Sequence, residues 1–226
     1  MPLIELRDIY KIYNPGENEV RALDGVSLDI DRGEFVAIIG HSGSGKSTLM
    51  NQLGLLDECT SGEYILDGHD VSHLTDDELS EIRNKQIGFI FQGFNLIPSL
   101  TAQANVELPL IYRGMKKEMR EQIALEALER VGLTERRHHR PAQMSGGQQQ
   151  RAAIARAVAA RPPIILADEP TGNLDSKSGG DVMRILHELH DEGRTVILIT
   201  HDHEIAAEAK RVIKIHDGQV VEDYTQ

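Results

Sequence analysis

Residues 35–55 read FVAIIGHSGSGKSTLMNQLGL, and no other stretch constrains the fold of this chain as strongly. Phe35 to Ile39 is a short apolar run rich in Val and Ile, which reads as a strand buried on both faces. Gly40 to Ser47 then fits the phosphate-binding loop pattern, and a helical pattern runs from Ser47 to Leu55. Strand, glycine-rich turn and helix in that order bring backbone N–H groups and a helix N-terminus to one point, where they favour an anion. Gly40, Gly43 and Gly45 let those amides turn inward around phosphate oxygens, with His41, Ser42 and Ser44 between them. Lys46 is placed to reach the β and γ phosphates, the Ser47 hydroxyl suits Mg2+, and Thr48 adds a second hydroxyl. A dinucleotide fingerprint is excluded, because its third glycine would fall at Thr48.

Two further runs, Ile164 to Ala167 and Val196 to Ile199, have the same buried-strand texture and alternate with helical segments, one of them from about Ser176 to Asp191. A βαβα order predicts an α/β fold with a mostly parallel core sheet. The first run delivers Asp168 and Glu169 at a strand's carboxyl end, where open α/β sheets bind ligands. Asp168 suits Mg2+ held through its water shell, and Glu169, one residue on, suits polarisation of an attacking water. The second run ends in Thr200-His201, and His201 suits hydrogen bonds to a γ-phosphate and to that water.

Around this core, Leu3 to Leu6, Arg21 to Leu23 and Ser27 to Ile30 alternate in polarity as half-buried antiparallel strands do, and predict an N-terminal antiparallel β-subdomain. Val212 to Ile215, Asp217-Gly218 and Gln219 to Val221 predict a closing hairpin. From about residue 93 to 161 strand-like runs vanish, and Lys116 to Val131 sets Met119, Ile123, Ala127, Leu128 and Val131 on one helical face. This predicts a helical subdomain, with those apolar residues as its own core, inserted into one domain spanning 1–226. Within it, Met144 to Ala160 reads MSGGQQQRAAIARAVAA, a second glycine turn opening a helix and so a second anion site. Two phosphate-binding turns beside one metal-binding strand point to a two-fold dimer in which each copy's loop faces the other's Ser145-Gly146-Gly147-Gln148.

Composition narrows the partners. With 36 acidic against 24 basic residues the formal net charge is -12, which leaves no electrostatic footprint for nucleic acid or direct lipid binding. A single cysteine, Cys59, excludes an internal disulfide and fits a reducing compartment. The ten histidines show no zinc-like spacing. The N-terminal twenty residues do not read as a secretory signal, and no apolar run approaches the roughly 18 to 20 residues that span a bilayer. Membrane contact would therefore run through another protein.

The ordered set GHSGSGKST, Gln92 after a buried strand, MSGGQQQR, IILADEP, GNLD and TH closely resembles the ATP-binding subunits of ABC transporters, from about Leu3 to Glu222. The resemblance implies a P-loop NTPase fold with a RecA-like core and an ATP-sandwich dimer. It implies that Tyr13, which by itself reads as edge packing, stacks on adenine, and that Gly40 to Thr48 cradle the phosphates. Gln92 would reach Mg2+ and sense the membrane subunit, Ser145 to Gln148 would meet the partner copy's γ-phosphate, and Asp175 would cross the interface. Glu169 and His201 would carry out hydrolysis.

ELPLIYRG, GQQQRAAIARA and DEPTGNLDSKSG are similar to the macrolide-exporter and lipoprotein-release (MacB and LolD) branch of that family. That implies an ATPase working with an integral membrane permease on the cytoplasmic face. Signalling to extracytoplasmic hydrolases, as in cell-division cassettes, uses the same motor. A nucleic-acid-associated cassette is disfavoured by the charge and by the short spacing between loop and signature. Met144 stands where the signature usually has Leu, a change that conserves volume. Gly93 follows Gln92 where the branch often has a larger polar residue, and would loosen that loop. The end of the sequence soon after the hairpin suits either a separate subunit or the first cassette of a longer chain.

Overall fold

The computed structural model describes residues 2–16 and 18–226, so Met1 and Glu17 of the N-terminal stretch lie outside the described residues. The elements run, in order, β1 (Ile4–Tyr13), β2 (Val20–Ile30), β3 (Phe35–Ile39), α1 (Lys46–Leu53), β4 (Ser61–Leu66), β5 (His69–Asp70), α2 (Asp76–Gln86), β6 (Ile87–Phe91), α3 (Ala102–Tyr112), α4 (Lys117–Arg130), α5 (Gly146–Ala159), β7 (Ile164–Asp168), α6 (Ser176–Asp191), β8 (Thr195–Thr200), α7 (His203–Ala206), β9 (Arg211–His216) and β10 (Gln219–Thr225). Backbone contacts divide them into two compact units, Met1–Arg83 with Gly193–Gln226, and Asn84–Glu192. The fold is α/β with an antiparallel subdomain, as the residue patterns anticipate.

In the first unit β1 lies antiparallel between β2 and β4, with Ile4 opposite Ile30 and Leu6 opposite Leu28. The alternating apolar residues Ile4, Leu6, Leu23, Val26 and Ile30 are fully or almost fully buried, which fixes the register. Arg21 to Leu23 and Ser27 to Ile30, separate in the sequence reading, belong to the single strand β2. The periodicity breaks between them because the ladder carries register shifts, one between Leu6 and Ile9 around Asp8, whose φ is +48°. The second sheet of this unit sets β3 parallel to both β8 and β9, with β10 closing the hairpin. Every residue of β3 and β8 is buried, so Phe35–Ile39 and residues 196–199 read as unbroken apolar runs.

The second unit holds β6 and β7 as a parallel pair, Phe91 opposite Asp168, together with α3 to α6. The predicted helical segment 93–161 lies wholly in this unit, which also takes in β6, β7 and α6. Gly88 permits close packing here: a Cβ on it would lie 2.5 Å from the Ala157 carbonyl oxygen of α5. Helix α4 corrects one expectation, because its buried stripe is Ala124, Ala127, Leu128 and the following Val131, whereas Met119 is exposed. Residue 119 sits in the first turn of α4, one position off the stripe that Ala124 and Ala127 define. No helix among the described residues is long and apolar enough to cross a membrane.

Candidate functional site

The candidate residues fall into two groups, one on each compact unit. On the first, β3 ends at Ile39 and the chain turns through Gly40 to Gly45 into α1. The turn is threaded between neighbouring backbones. A Cβ on Gly40 would lie 2.3 Å from the Ile215 carbonyl oxygen and 2.5 Å from Ser44 Oγ. Gly45, at φ +103°, caps α1, and a Cβ there would lie 2.4 Å from the Ala22 carbonyl oxygen. The Ser44 carbonyl accepts from Gly218 N at 2.8 Å, which ties the loop to the closing hairpin. Ser44 Oγ is buried with no hydrogen-bond partner among the described residues.

Lys46 Nζ donates to the carbonyls of Gly40 and His41 at 2.7 and 2.8 Å, so the ammonium lies over the loop that it is read to serve. His41, Ser42, Gly43 and Ser47 are exposed along its rim, and the His41 ring meets His216 edge-on at 6.5 Å between centroids. In the parallel register Ile39 pairs with Thr200, which sets Gly40 and His201 side by side at the carboxyl ends of β3 and β8. His201 is exposed there, while the Thr200 hydroxyl beneath it accepts from Asp202 N at 3.0 Å.

Tyr13 ends β1 with 38% of its surface exposed. Its hydroxyl donates to Asp57 Oδ2 at 3.0 Å, and Lys11 Nζ lies 5.1 Å from the ring centroid. Partial burial, then the bond to Asp57, raise the phenol above its ordinary range.

On the second unit, β6 runs out at Phe91 beside Asp168 at the end of β7, so Gln92 and Glu169 leave the same sheet edge. Glu169 holds φ +43°, a left-handed backbone that a residue with a side chain adopts at a cost. A turn follows, Gly172 N donating to the Glu169 carbonyl at 3.0 Å. Asn173 Nδ2 donates to the Gln92 carbonyl at 3.1 Å, so the turn after Glu169 grips the loop after β6. Asp175 then caps α6, its Oδ1 accepting from Ser178 N at 3.0 Å and its Oδ2 from Ser178 Oγ at 2.8 Å. Those bonds hold its carboxyl below the ordinary aspartate range.

Ser145 caps α5 in a reciprocal box. Its Oγ accepts from Gln148 N at 3.3 Å, and Gln148 Oε1 accepts from Ser145 N at 3.0 Å. Gly146 packs near Leu174 and Phe94, and a Cβ on Gly147 would lie 2.5 Å from Ser178 Oγ. The second glycine turn is therefore built against the loop that carries Asn173 and Asp175.

Several supporting residues escaped the sequence reading. Gln150 of α5 is fully buried and its amide donates to the Pro170 carbonyl at 2.7 Å, next to Glu169. Arg156, further along α5, donates to the carbonyls of Phe94 and Asn95. Burial depresses its guanidinium pKa. Both loop residues, Phe94 and Asn95, have positive φ, and Arg156 reaches the carbonyls of both. Asn105, fully buried in α3, accepts from Ile97 N at 2.7 Å and donates to the Ile97 and Thr101 carbonyls at 3.2 and 3.0 Å. A lone polar residue on the apolar face of ANVELPLI was the available signal for it; Gln150 and Arg156 had none, since glutamine and arginine fit any helix surface.

Comparison with known proteins places these features. Residues 23–172 match the family described as "ABC transporter". Over 224 residues the chain is 58% identical to the pyoverdine export ATP-binding/permease protein PvdT of Pseudomonas aeruginosa, covering 99% of this chain and 34% of that protein. Over 222 residues it is 56% identical to the macrolide export ATP-binding/permease protein MacB of Hyphomonas neptunium, covering 98% and 34%. The chain thus spans about a third of the length of these curated relatives. Its backbone matches the dimeric, post-hydrolysis state of the ATP-binding cassette MJ0796 bound to ADP and Pi with a TM-score of 0.92, 49% identity and 98% of each chain covered. By this family match over most of its length and by these identities, the chain belongs to the ABC transporter family, as an ABC ATPase.

Proposed function

We propose that this chain binds and hydrolyses ATP between two copies of itself and that the cycle drives an export or mechanotransmission complex of the MacB and LolD type. The observation that carries this reading is the phosphate loop, clamped between the Ile215 and Ala22 carbonyls with Lys46 folded over it. In the proposed reaction the loop amides and Lys46 hold the triphosphate, Tyr13 stacks on the base, and Glu169 takes a proton from the attacking water that His201 orients. Ser145 to Gln148 of one copy meet the γ-phosphate held by the other, and Asp175 lies at the interface. The donors proposed for Mg2+, the Ser47 hydroxyl, the Gln92 amide and Asp168, are all oxygen ligands and fit a hard cation that takes its remaining ligands from phosphate and water. Bound there, Mg2+ would neutralise charge on the leaving diphosphate.

Four exposed apolar side chains of the second unit, Ile97, Ile111, Tyr112 and Met119, support docking on a membrane permease, Tyr112 being 79% exposed. Such docking would hold the chain at the cytoplasmic face of the membrane through protein contact. In the full-length protein, Lys46→Ala should lower ATP turnover more than about a hundredfold. Parental turnover in that variant would overturn the reading. Copurification identifies the membrane subunit or, for a fused chain, shows that none is needed.

A further inference from the structure

Tyr13 is held by one carboxylate acting through two routes. Asp57, in the loop after α1, accepts the Tyr13 hydroxyl on Oδ2 at 3.0 Å and the Lys11 ammonium on Oδ1 at 2.7 Å. Lys11 also donates to the Glu58 carbonyl at 2.6 Å, and so is fixed with its charge 5.1 Å from the Tyr13 ring centroid. Its side chain is only 14% exposed and that of Asp57 31%, so both groups are partly shielded from water. Burial alone would raise the Asp57 carboxyl, but the bonds from Lys11 and Tyr13 outweigh it and hold it below the ordinary range.

The chemistry of this arrangement is specific. An exposed tyrosine at the end of a strand samples several ring orientations, and a flat ligand stacking on it must first select one. Anchoring the hydroxyl fixes the ring plane. A cation against the ring draws on its negative quadrupole and makes it a better partner for an electron-rich heterocycle. We propose that Asp57 is a positioning residue for nucleotide recognition: with Lys11 it presets the Tyr13 ring as a platform for the nucleobase, and acts on the base without touching the phosphates. The inference rests on the reading of Tyr13 as the base-stacking residue.

The test compares ATP with tripolyphosphate, which carries the phosphates and no base, as substrate and competitor of the full-length protein. Asp57→Ala should raise the KM for ATP about three- to tenfold, leave kcat within about twofold, and leave the inhibition constant of tripolyphosphate unchanged. Lys11→Met should move the same way. Combined with Tyr13→Ala, Asp57→Ala should add nothing further. Should Asp57→Ala fold poorly, Asp57→Asn, which keeps an oxygen for the phenol and gives up the charge facing Lys11, carries the same comparison with a smaller rise. A parallel change in tripolyphosphate inhibition would overturn the inference, since Asp57 would then be propping the phosphate loop. Parental KM in Asp57→Ala beside a raised KM in Tyr13→Ala overturns this inference alone. Parental KM in Tyr13→Ala overturns the reading of Tyr13 itself.

Discussion

Arg156 Nη2 on α5 donates to the Phe94 carbonyl at 3.0 Å, and its second terminal nitrogen reaches the carbonyl of Asn95. One guanidinium therefore ties the helix opened by Ser145 to the loop that follows Gln92. Arg156→Ala would leave two carbonyls without that donor, and should cost about 2 to 3 kcal/mol in chemical denaturation. Arg156→Lys, with a single point donor, should recover part of the stability but not the hold on both carbonyls. Hydrogen exchange at Gly93 to Ile97 should rise in both variants, and unchanged exchange would show that Gly93 and its neighbours are ordered by other contacts.

Glu169→Gln removes the proposed base while keeping size and backbone. Turnover should fall by about a hundredfold or more, and ATP should bring two copies into a dimer that persists, measurable by light scattering. Hydrolysis at the parental rate would assign the base to another group.

Gly40 is demanded by its neighbours rather than by its own dihedrals. Gly40→Ala must push the Ile215 carbonyl or Ser44 aside, since the new Cβ would sit 2.3 Å from the former. Nucleotide affinity should drop together with the melting temperature. At Gly43 a Cβ meets nothing within 4 Å, so Gly43→Ala should cost only the left-handed backbone penalty of about 1 kcal/mol. Equal losses at the two positions would contradict the threaded geometry.

The Lys11–Asp57 pair should show in acid. Because the folded carboxyl is depressed, its contribution is fully present above the unfolded aspartate pKa of about 3.9 and is lost as pH falls through the lower folded value. Asp57→Asn should therefore melt below the parent at neutral pH, with the gap closing as pH drops toward about 3. A gap independent of pH would mean that the charge on Asp57 contributes nothing to stability.

Met144, just before Ser145, is 7% exposed. Met144→Leu should change stability by less than about 1.5 kcal/mol and turnover little, as checked by denaturation and steady-state assay.

The fold was legible where burial and period coincide. Phe35 to Ile39 and Thr195 to Thr200 are buried throughout, and α6 keeps its apolar residues on one face from Val182 to Leu189. Asp168, Glu169 and the glycine loop stand out in the sequence because the phosphate chemistry proposed for them would dictate both residue type and spacing, and each lies at the carboxyl end of a strand. Met119 misled because a helix offers two plausible apolar stripes and only packing decides between them. The clamps made by Arg156, Gln150 and Asp57 were not legible, since each depends on a backbone carbonyl or phenol brought close by tertiary structure, and no local pattern encodes that approach.

The left-handed backbone of Glu169 has a consequence for anyone who evolves this chain in the laboratory. A screen that rewards heat resistance alone should drift this position toward glycine or asparagine, which occupy such dihedrals more cheaply, by about 1 kcal/mol or somewhat more. With Glu169 as the proposed base, the survivors would be sturdier and inert. Stability libraries built on this chain need an activity counter-selection at residue 169 above all.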